Sequence, residues 1–150
     1  MADIKSPEER SKNMAKIRSR DTKPEEYIRK KLFSLGYRYR KNANSVPGHP
    51  DIWLAKYNTA IFINGCFWHR HQDCKYAYIP KSRTEFWEDK FQKNIERDSV
   101  VQNELASKGI KQLIIWECTV RKMIHSREVE TEIVDRIVEY LNAESRFMEL

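Results

Sequence analysis

The pattern of apolar and polar positions divides the chain into segments with two different periods. Apolar side chains recur at intervals of three and four residues in three segments, residues 27–35, 86–105 and 129–141. Short apolar or alternating runs occupy three others, residues 51–57, 60–63 and 110–118. The first pattern is typical of amphipathic helices and the second of strands, so the chain is predicted to have an α/β fold.

Capping residues mark where the helices begin and end. The motif Thr22-Lys-Pro-Glu25 predicts a helix start, and Gly36 suits the position just beyond its end. A similar motif, Ser6-Pro-Glu-Glu9, introduces a basic segment with few apolar residues that could become ordered only on a partner. Two further helices are predicted, over residues 85–108 with Gly109 closing the helix, and from a cap near Ser126 through Leu141.

The strands are predicted to form one mixed sheet. A dense turn signal over residues 47–50 precedes a strand at residues 51–57, and Asn58-Thr59 is the predicted hairpin turn into a buried strand at residues 60–63. The helix that follows leads to a strand over residues 110–118, and such a β-helix-β unit is expected to run parallel to one of the earlier strands. The hairpin is antiparallel, so the sheet is mixed.

Composition narrows the function classes. A chain of 150 residues with 40% apolar residues is expected to form a single domain, 1–150, with a real core. The net charge of +6, with basic residues concentrated before residue 42, favours nucleic acid as partner. The polar N-terminus and the lack of an 18-residue apolar window argue against secretion or a membrane span, so a cytoplasmic location is expected.

Cysteine and histidine are concentrated just after the strand at residues 60–63. Cys66, His71 and Cys74 lie close together, and Cys118 ends the apolar run of the next strand. Three thiolates and one imidazole form a closed tetrahedral shell, which is the structural type of zinc site. His69 competes with His71 as a ligand, and Asp73 is a weaker candidate. Inert buried thiols are the alternative, but reducing conditions in the cytosol favour a metal site over disulfides.

Asp51 opens the first hairpin strand, and the chain returns beside it near Ile63. A carboxylate and a backbone carbonyl at this place offer oxygen ligands to Mg²⁺. An aspartate in a turn before a strand is also ordinary turn chemistry, and the residues alone favour that interpretation.

Seven motifs along the chain, taken together, change this balance. They are Ser11-Lys-Asn-Met14, Arg20-Asp-Thr22, Pro47-Gly-His-Pro-Asp51, Ile61-Phe-Ile-Asn-Gly-Cys-Phe-Trp-His69, Arg83-Thr-Glu-Phe-Trp87, Lys93-Asn-Ile-Glu-Arg-Asp98 and Trp116-Glu-Cys118. In this order they resemble the very-short-patch repair (Vsr) endonuclease family. The resemblance runs from about residue 11 to about residue 118, which makes it far more specific than any single motif.

The resemblance implies a restriction-endonuclease-like mixed β-sheet flanked by helices, with a structural zinc site. It also implies a Mg²⁺-dependent enzyme that nicks one DNA strand 5′ to the thymine of a T·G mismatch, which arises when 5-methylcytosine deaminates. Asp51 and the carbonyl of Ile63 would hold Mg²⁺, and His69 would help to activate the attacking water. Glu25 and Asp98 would complete the polar shell, although Glu25 could simply serve the capping box and Asp98 could be a solvated charge.

The resemblance also assigns DNA contacts. Phe67, Trp68 and Trp87 correspond to an aromatic wedge that enters the base stack at the mismatch, and core packing is the alternative interpretation. Basic residues of the N-terminal segment 1–20 would contact phosphates, namely Lys12, Lys16, Arg18 and Arg20.

One departure from the family leaves cleavage itself open. Asn64 stands where the family commonly has histidine, and an amide can hydrogen-bond but cannot titrate. The first alternative is therefore a zinc-containing protein that binds distorted DNA without cutting it. A second and more remote alternative, which does not depend on Asn64, is a nuclease that acts on unmismatched or modified sites. A monomer is expected, because nicking one strand needs one active site, and mismatch-repair proteins are candidate partners.

Overall fold

A computed structural model describes residues 21–150. Four helices lie in this part of the chain: α1 (Lys23–Ser34), α2 (Thr84–Ser107), α3 (Glu117–His125) and α4 (Arg127–Leu141). Four strands accompany them: β1 (Ile52–Leu54), β2 (Thr59–Asn64), β3 (Lys111–Trp116) and β4 (Phe147–Glu149). The capping motif predicted at Ser6 and the basic segment after it lie outside the described residues.

Helix α1 begins and ends where the capping residues predict. The Thr22 hydroxyl accepts a hydrogen bond from the Glu25 N–H, and the Glu25 carboxylate accepts one from the Thr22 N–H at 2.7 Å. Beyond the helix, Gly36 has a φ of 94°, a left-handed conformation that glycine adopts without steric cost. The first predicted helix is therefore confirmed by its own local hydrogen bonds.

The strands form a mixed sheet in the order β1-β2-β3-β4. Strand β1 pairs with β2 in antiparallel orientation, whereas β2 and β3 are parallel, as are β3 and β4. The predicted mixed sheet is thus confirmed, with the long helix α2 connecting β2 to its parallel neighbour.

Two sequence-based predictions of the strands need correction, and two elements, α3 and β4, were not predicted. The first strand stops at Leu54, because residues 55–57 form a 3-10 turn that leads to Asn58 in left-handed conformation. The strand predicted over residues 110–118 ends at Trp116, so Cys118 lies in the first turn of α3 and not in a strand. Helix α3 lacks a capping side chain that could have marked its start, and the three-residue strand β4 is too short to give a periodic signal.

Helices cover both faces of the sheet. Leu113 and Ile115 of β3 pack in the main core, which also contains buried residues of α1, α3 and α4. Strand residues that alternate with them, such as Phe62 and Ile114, face other clusters, one of which includes Leu105 of α2. Burial on both faces explains why β2 and β3 read as nearly continuous apolar runs.

One glycine is needed where the loop before β1 passes α2. Gly48 has a φ of 79°, and an added Cβ would lie only 2.5 Å from Cγ1 of Val101. Any larger residue would therefore push this loop away from the helix that carries Asp98. Among residues 21–150, no helix is long and apolar enough to cross a membrane.

Candidate active site and metal centre

Two carboxyl groups meet beside the end of β2. Glu25, in the first turn of α1, is buried to 3% exposure and contacts the carboxyl group of Asp51, which precedes β1. The Ile63 N–H donates a hydrogen bond of 2.7 Å to Oδ2 of Asp51. Glu25 therefore serves the capping box with its backbone and one oxygen, and also forms an acidic pair with Asp51.

This pairing changes the ionisation of Asp51. The pKa of Asp51 is raised from 3.8 to about 8, chiefly by burial and further by the hydrogen bond and the negative charge of Glu25. The Ile63 N–H and the charge of Arg29 act in the opposite direction but do not outweigh these causes. A buried carboxyl group that lies against a second carboxyl group is a place where a divalent cation would be stabilised.

A buried arginine supports the position of Asp51. Arg29, only 3% exposed, donates from Nε and Nη2 to the carbonyl of Asp51, at 3.2 and 2.9 Å. Its Nη1 binds Oδ1 of Asp21 at 2.7 Å. Arg29 was not predicted from the sequence, although a cation one turn after Glu25 on the buried side of α1 could have indicated it.

His69 and Asp98 form a second polar pair. Nδ1 of His69 lies 2.7 Å from Oδ2 of Asp98, a residue of α2. Both side chains are partly exposed, and with Asn64, the last residue of β2, they line a cavity of about 620 Å³. Because Ile63 binds Asp51 and its neighbour Asn64 faces this cavity, the end of β2 connects the two polar pairs.

The predicted cysteine and histidine ligands come together. One ligand atom each from Cys66, His71, Cys74 and Cys118 lies within 4.8 Å of all the others. A tetrahedral zinc ion with Zn–S bonds of about 2.3 Å needs sulfurs roughly 3.8 Å apart, so this donor set fits such an ion. His69, the competing ligand, is bound to Asp98 instead, and the exposed Asp73 is not part of the group.

Contacts around this cluster favour the thiolate form of Cys66 and the neutral form of His71, which are the forms that bind a metal. Burial raises the pKa of the Cys66 thiol, but its sulfur accepts a hydrogen bond from the Cys118 N–H at 3.4 Å, a contact that would stabilise a thiolate. The ring of His71 stacks on Trp116 with centroids 4.1 Å apart, and burial lowers its pKa, which favours the neutral imidazole that metals bind.

An aromatic cluster lies beside the metal loop. The rings of Phe67, Trp68 and Trp87 have centroids 5.1 to 5.8 Å apart. All three side chains are partly exposed. The alternative interpretation, that these rings are wholly buried in the core, is therefore wrong. The four basic residues assigned to phosphate contacts precede residue 21 and lie outside the described part of the chain.

Comparison with known proteins identifies the family. The model of the family described as DNA mismatch endonuclease Vsr matches residues 2–76. A type II nicking enzyme of Neisseria meningitidis, V.NmeAIP, is 46% identical over 137 residues, covering 91% of this chain and 97% of the relative. The nicking enzyme V.XorIIP of Xanthomonas oryzae is 39% identical, covering 79% and 86%.

A third relative extends the similarity along almost the whole chain. The DNA mismatch endonuclease Vsr of Escherichia coli is 39% identical over 146 residues, which cover 96% of this chain and 90% of the relative. The resemblance seen in the motifs is thereby confirmed and reaches beyond residues 11–118. With its mixed sheet flanked by helices and a Cys/His group able to hold a metal, the chain belongs to the Vsr family of DNA mismatch endonucleases.

Proposed function

We propose that this endonuclease nicks one DNA strand 5′ to the thymine of a T·G mismatch produced by deamination of 5-methylcytosine, in a reaction that requires Mg²⁺. The observation that carries the proposal is the acidic pair of Glu25 and Asp51 at the end of β2. The names of the relatives, which refer to mismatch endonuclease and nicking activity, support the reaction type. An enzyme with this substrate would act where the cell's DNA lies, in agreement with the predicted cytoplasmic location.

Asp51 and the carbonyl of Ile63 would hold Mg²⁺. The carboxylate of Glu25, which contacts Asp51, would help to neutralise the positive charge of the ion. These oxygen donors suit Mg²⁺, which usually takes one or two carboxylates and completes its shell with substrate phosphate and water. When bound, the ion would neutralise charge that develops on the phosphate. Arg29 would keep the backbone of Asp51 in place through its two hydrogen bonds to the carbonyl.

His69 is the proposed general base. Its bond to Asp98 uses Nδ1, so Nε2 is the ring nitrogen left to accept a proton from the attacking water. As that proton moves to Nε2, the water oxygen forms a bond to phosphorus, the P–O bond of the backbone linkage breaks, and the departing sugar oxygen takes up a proton from a solvent water. Asn64 lines the same cavity and would donate a hydrogen bond to the phosphate without adding charge.

Phe67, Trp68 and Trp87 are the proposed wedge. A mismatched step is easier to open than a paired one, and an inserted ring recovers lost stacking, so partly exposed rings next to His69 favour cleavage at the mismatch. Lys12, Lys16, Arg18 and Arg20 would add phosphate contacts whose contribution falls with salt. A monomer suffices for this reaction, and mismatch-repair proteins stay candidate partners.

We further propose that the Cys/His cluster holds a structural zinc ion. All four of its positions are filled by protein ligands, which leaves none for substrate. The ion would fix the loop that carries His69 and two rings of the wedge, Phe67 and Trp68.

A substrate panel tests the proposed function. We expect the wild-type protein with Mg²⁺ to nick the thymine strand of a labelled T·G duplex, and to leave the paired duplex and the reaction without Mg²⁺ uncut. Strand, position and nick are read on a sequencing gel. Binding without cleavage would favour the non-cleaving alternative, and equal cutting of paired DNA would favour a nuclease for unmismatched sites.

Metal affinity should depend on pH through Asp51. Because its pKa is raised to about 8, a proton must leave the acidic pair when the ion enters. The dissociation constant for Mn²⁺ should therefore fall about tenfold per pH unit up to pH 8 and then level off. Without metal, this group makes the folded state bind a proton that the unfolded chain releases near pH 4, so stability should fall between pH 4 and 8.

Electron paramagnetic resonance of bound Mn²⁺ and thermal unfolding without metal measure these two effects. Glu25→Gln is the matched variant, because it removes the neighbouring negative charge but keeps a side chain that can cap α1. In this variant, the dissociation constant for Mn²⁺ and the stability without metal should both depend less on pH than in the wild type. A dissociation constant that is the same at pH 6 and pH 8 would contradict the assignment.

Loss of the Asp98 carboxylate should slow nicking without weakening DNA binding. Asp98→Asn keeps the size of the side chain but no longer favours the imidazolium that forms when His69 accepts a proton, so a loss of roughly 10- to 100-fold is expected. Asp89→Asn is the control, because Asp89 lies on the same helix but pairs with Lys93 at the surface. Single-turnover nicking rates compare the two, and equal rates would remove Asp98 from the site.

A further inference from the structure

The loop beside the wedge is held by a cation that the proposed reaction does not use. Arg70 donates from Nη1 to the carbonyls of Phe67 and Tyr78, both at 3.1 Å, and from Nη2 to the carbonyl of Ala77 at 2.6 Å. Its guanidinium also stacks over the ring of Phe91, 3.9 Å from the centroid. These contacts tie residues 77–78 to the backbone of the wedge.

The backbone of Tyr78 is held by Arg70, whereas its ring is exposed. Its centroid lies 5.1 Å from that of Phe67, with the two planes at 47°. Phe67 is half-buried because it contacts several other rings, whereas Tyr78 keeps 62% of its surface exposed. A large ring that is fixed through its backbone and yet open to solvent is suited to contact a partner, since little freedom is lost on binding.

The chemistry around the ring favours DNA as that partner. Lys90 lies 5.7 Å from the ring of Trp68, and Arg83 stacks on Phe86 at 4.2 Å, so cations border the aromatic cluster. The faces of nucleobases stack on aromatic rings, and nearby cations attract the phosphates of the same strand. The surface of Tyr78 continues that of Phe67, so a duplex on the wedge would reach Tyr78 next.

We propose that Tyr78, positioned by Arg70, is a fourth aromatic contact to DNA, which stacks on a base or sugar flanking the mismatch. The inference rests on the proposed function, because Tyr78 meets the duplex only after the three wedge rings have entered it. It adds a residue that determines how strongly the mismatched duplex is preferred.

Binding of T·G and paired duplexes by fluorescence anisotropy tests the inference. Tyr78→Ala should weaken T·G binding about 5- to 20-fold and change paired binding by less than about 2-fold, whereas Tyr78→Phe should bind like the wild type. Phe33→Ala is the matched control, because Phe33 is a ring of similar exposure, 55%, outside the cluster. Melting temperature and metal content show that each variant is folded.

Each other outcome overturns the proposal. Unchanged T·G binding by Tyr78→Ala removes the contact, equal losses on both duplexes remove its link to the mismatch, and a loss in Tyr78→Phe assigns the effect to the hydroxyl instead of stacking. If the wild type itself fails to prefer the T·G duplex, the proposed function fails first, and the two failures are thereby distinguished.

A double variant tests the part given to Arg70. If Arg70 acts by holding Tyr78, adding Tyr78→Ala to Arg70→Gln should weaken T·G binding by no more than about 2-fold beyond Arg70→Gln alone. Two losses that multiply would show that Arg70 does not position Tyr78.

Discussion

Asp51→Asn is expected to abolish nicking while the protein stays folded and bound to DNA. The rate should fall by at least about 10³-fold, because the amide cannot supply the negative charge that would hold Mg²⁺ against the phosphate. Folding should change by less than about 1 kcal/mol, since the raised pKa of about 8 means that the wild-type carboxyl is already mostly neutral at pH 7 without metal. The asparagine oxygen can still accept the Ile63 N–H.

Single-turnover nicking of the T·G duplex and binding of the same duplex without Mg²⁺ measure the two properties separately. Asp135→Asn serves as control, because Asp135 is an exposed carboxylate on α4. Residual activity within tenfold of the wild type would remove Asp51 from the proposed metal site. A variant that unfolds would instead mean that the carboxyl is needed for the structure.

Loss of one ligand from the Cys/His cluster is expected to destabilise the whole metal loop. Cys118→Ala should bind no stoichiometric zinc and should unfold well below the wild-type temperature, because structural zinc sites contribute about 10 kcal/mol or more to folding. Cys118 lies in the first turn of α3, so loss of its sulfur removes the link through the proposed metal between α3 and the loop after β2, although the backbone N–H of residue 118 can still bind Cys66. Metal analysis and thermal unfolding check both expectations.

The two histidines of the same loop provide a sharper comparison. His71→Ala should lose the metal, whereas His69→Ala should keep one zinc per chain and lose only nicking, because His69 binds Asp98 and not the cluster. If His69→Ala releases zinc while His71→Ala retains it, the ligand assignment must be exchanged. If wild-type protein contains no zinc, the structural role proposed for the cluster is wrong.

The parts of the fold that depend on local interactions could be predicted from the sequence. Thr22 and Glu25 specify the start of α1 because both bonds of the capping box lie within four residues. The change from β3 to α3 could not be predicted, because Trp116 begins the helix without a capping side chain and the apolar run continues through it. The extended run therefore favoured a strand as far as Cys118.

The candidate site also has a part that the sequence predicts and a part that depends on tertiary packing. Spacing grouped Cys66, His71, Cys74 and Cys118 as a candidate ligand set, but it left His69 in competition with His71, and the contact of His69 with Asp98 separates the two histidines. The contact between Glu25 and Asp51 depends on how α1 packs beside β1, which no local pattern encodes. Arg29 and Arg70 were missed for a related reason, since they donate mostly to backbone carbonyls, and only the position of Arg29 one turn after Glu25 gave a signal in the sequence.

One short stretch of the chain determines how this enzyme fails when it is damaged. Between Cys66 and His71, both members of the metal-binding group, lie four residues that comprise two rings of the wedge, the proposed base and the arginine that holds Tyr78. Loss of the proposed metal ion would therefore displace Phe67 and Trp68 of the wedge together with the proposed base, His69. If the proposed zinc is present, protein without it should consequently lose mismatch recognition and nicking together, instead of becoming a nuclease that cuts paired DNA.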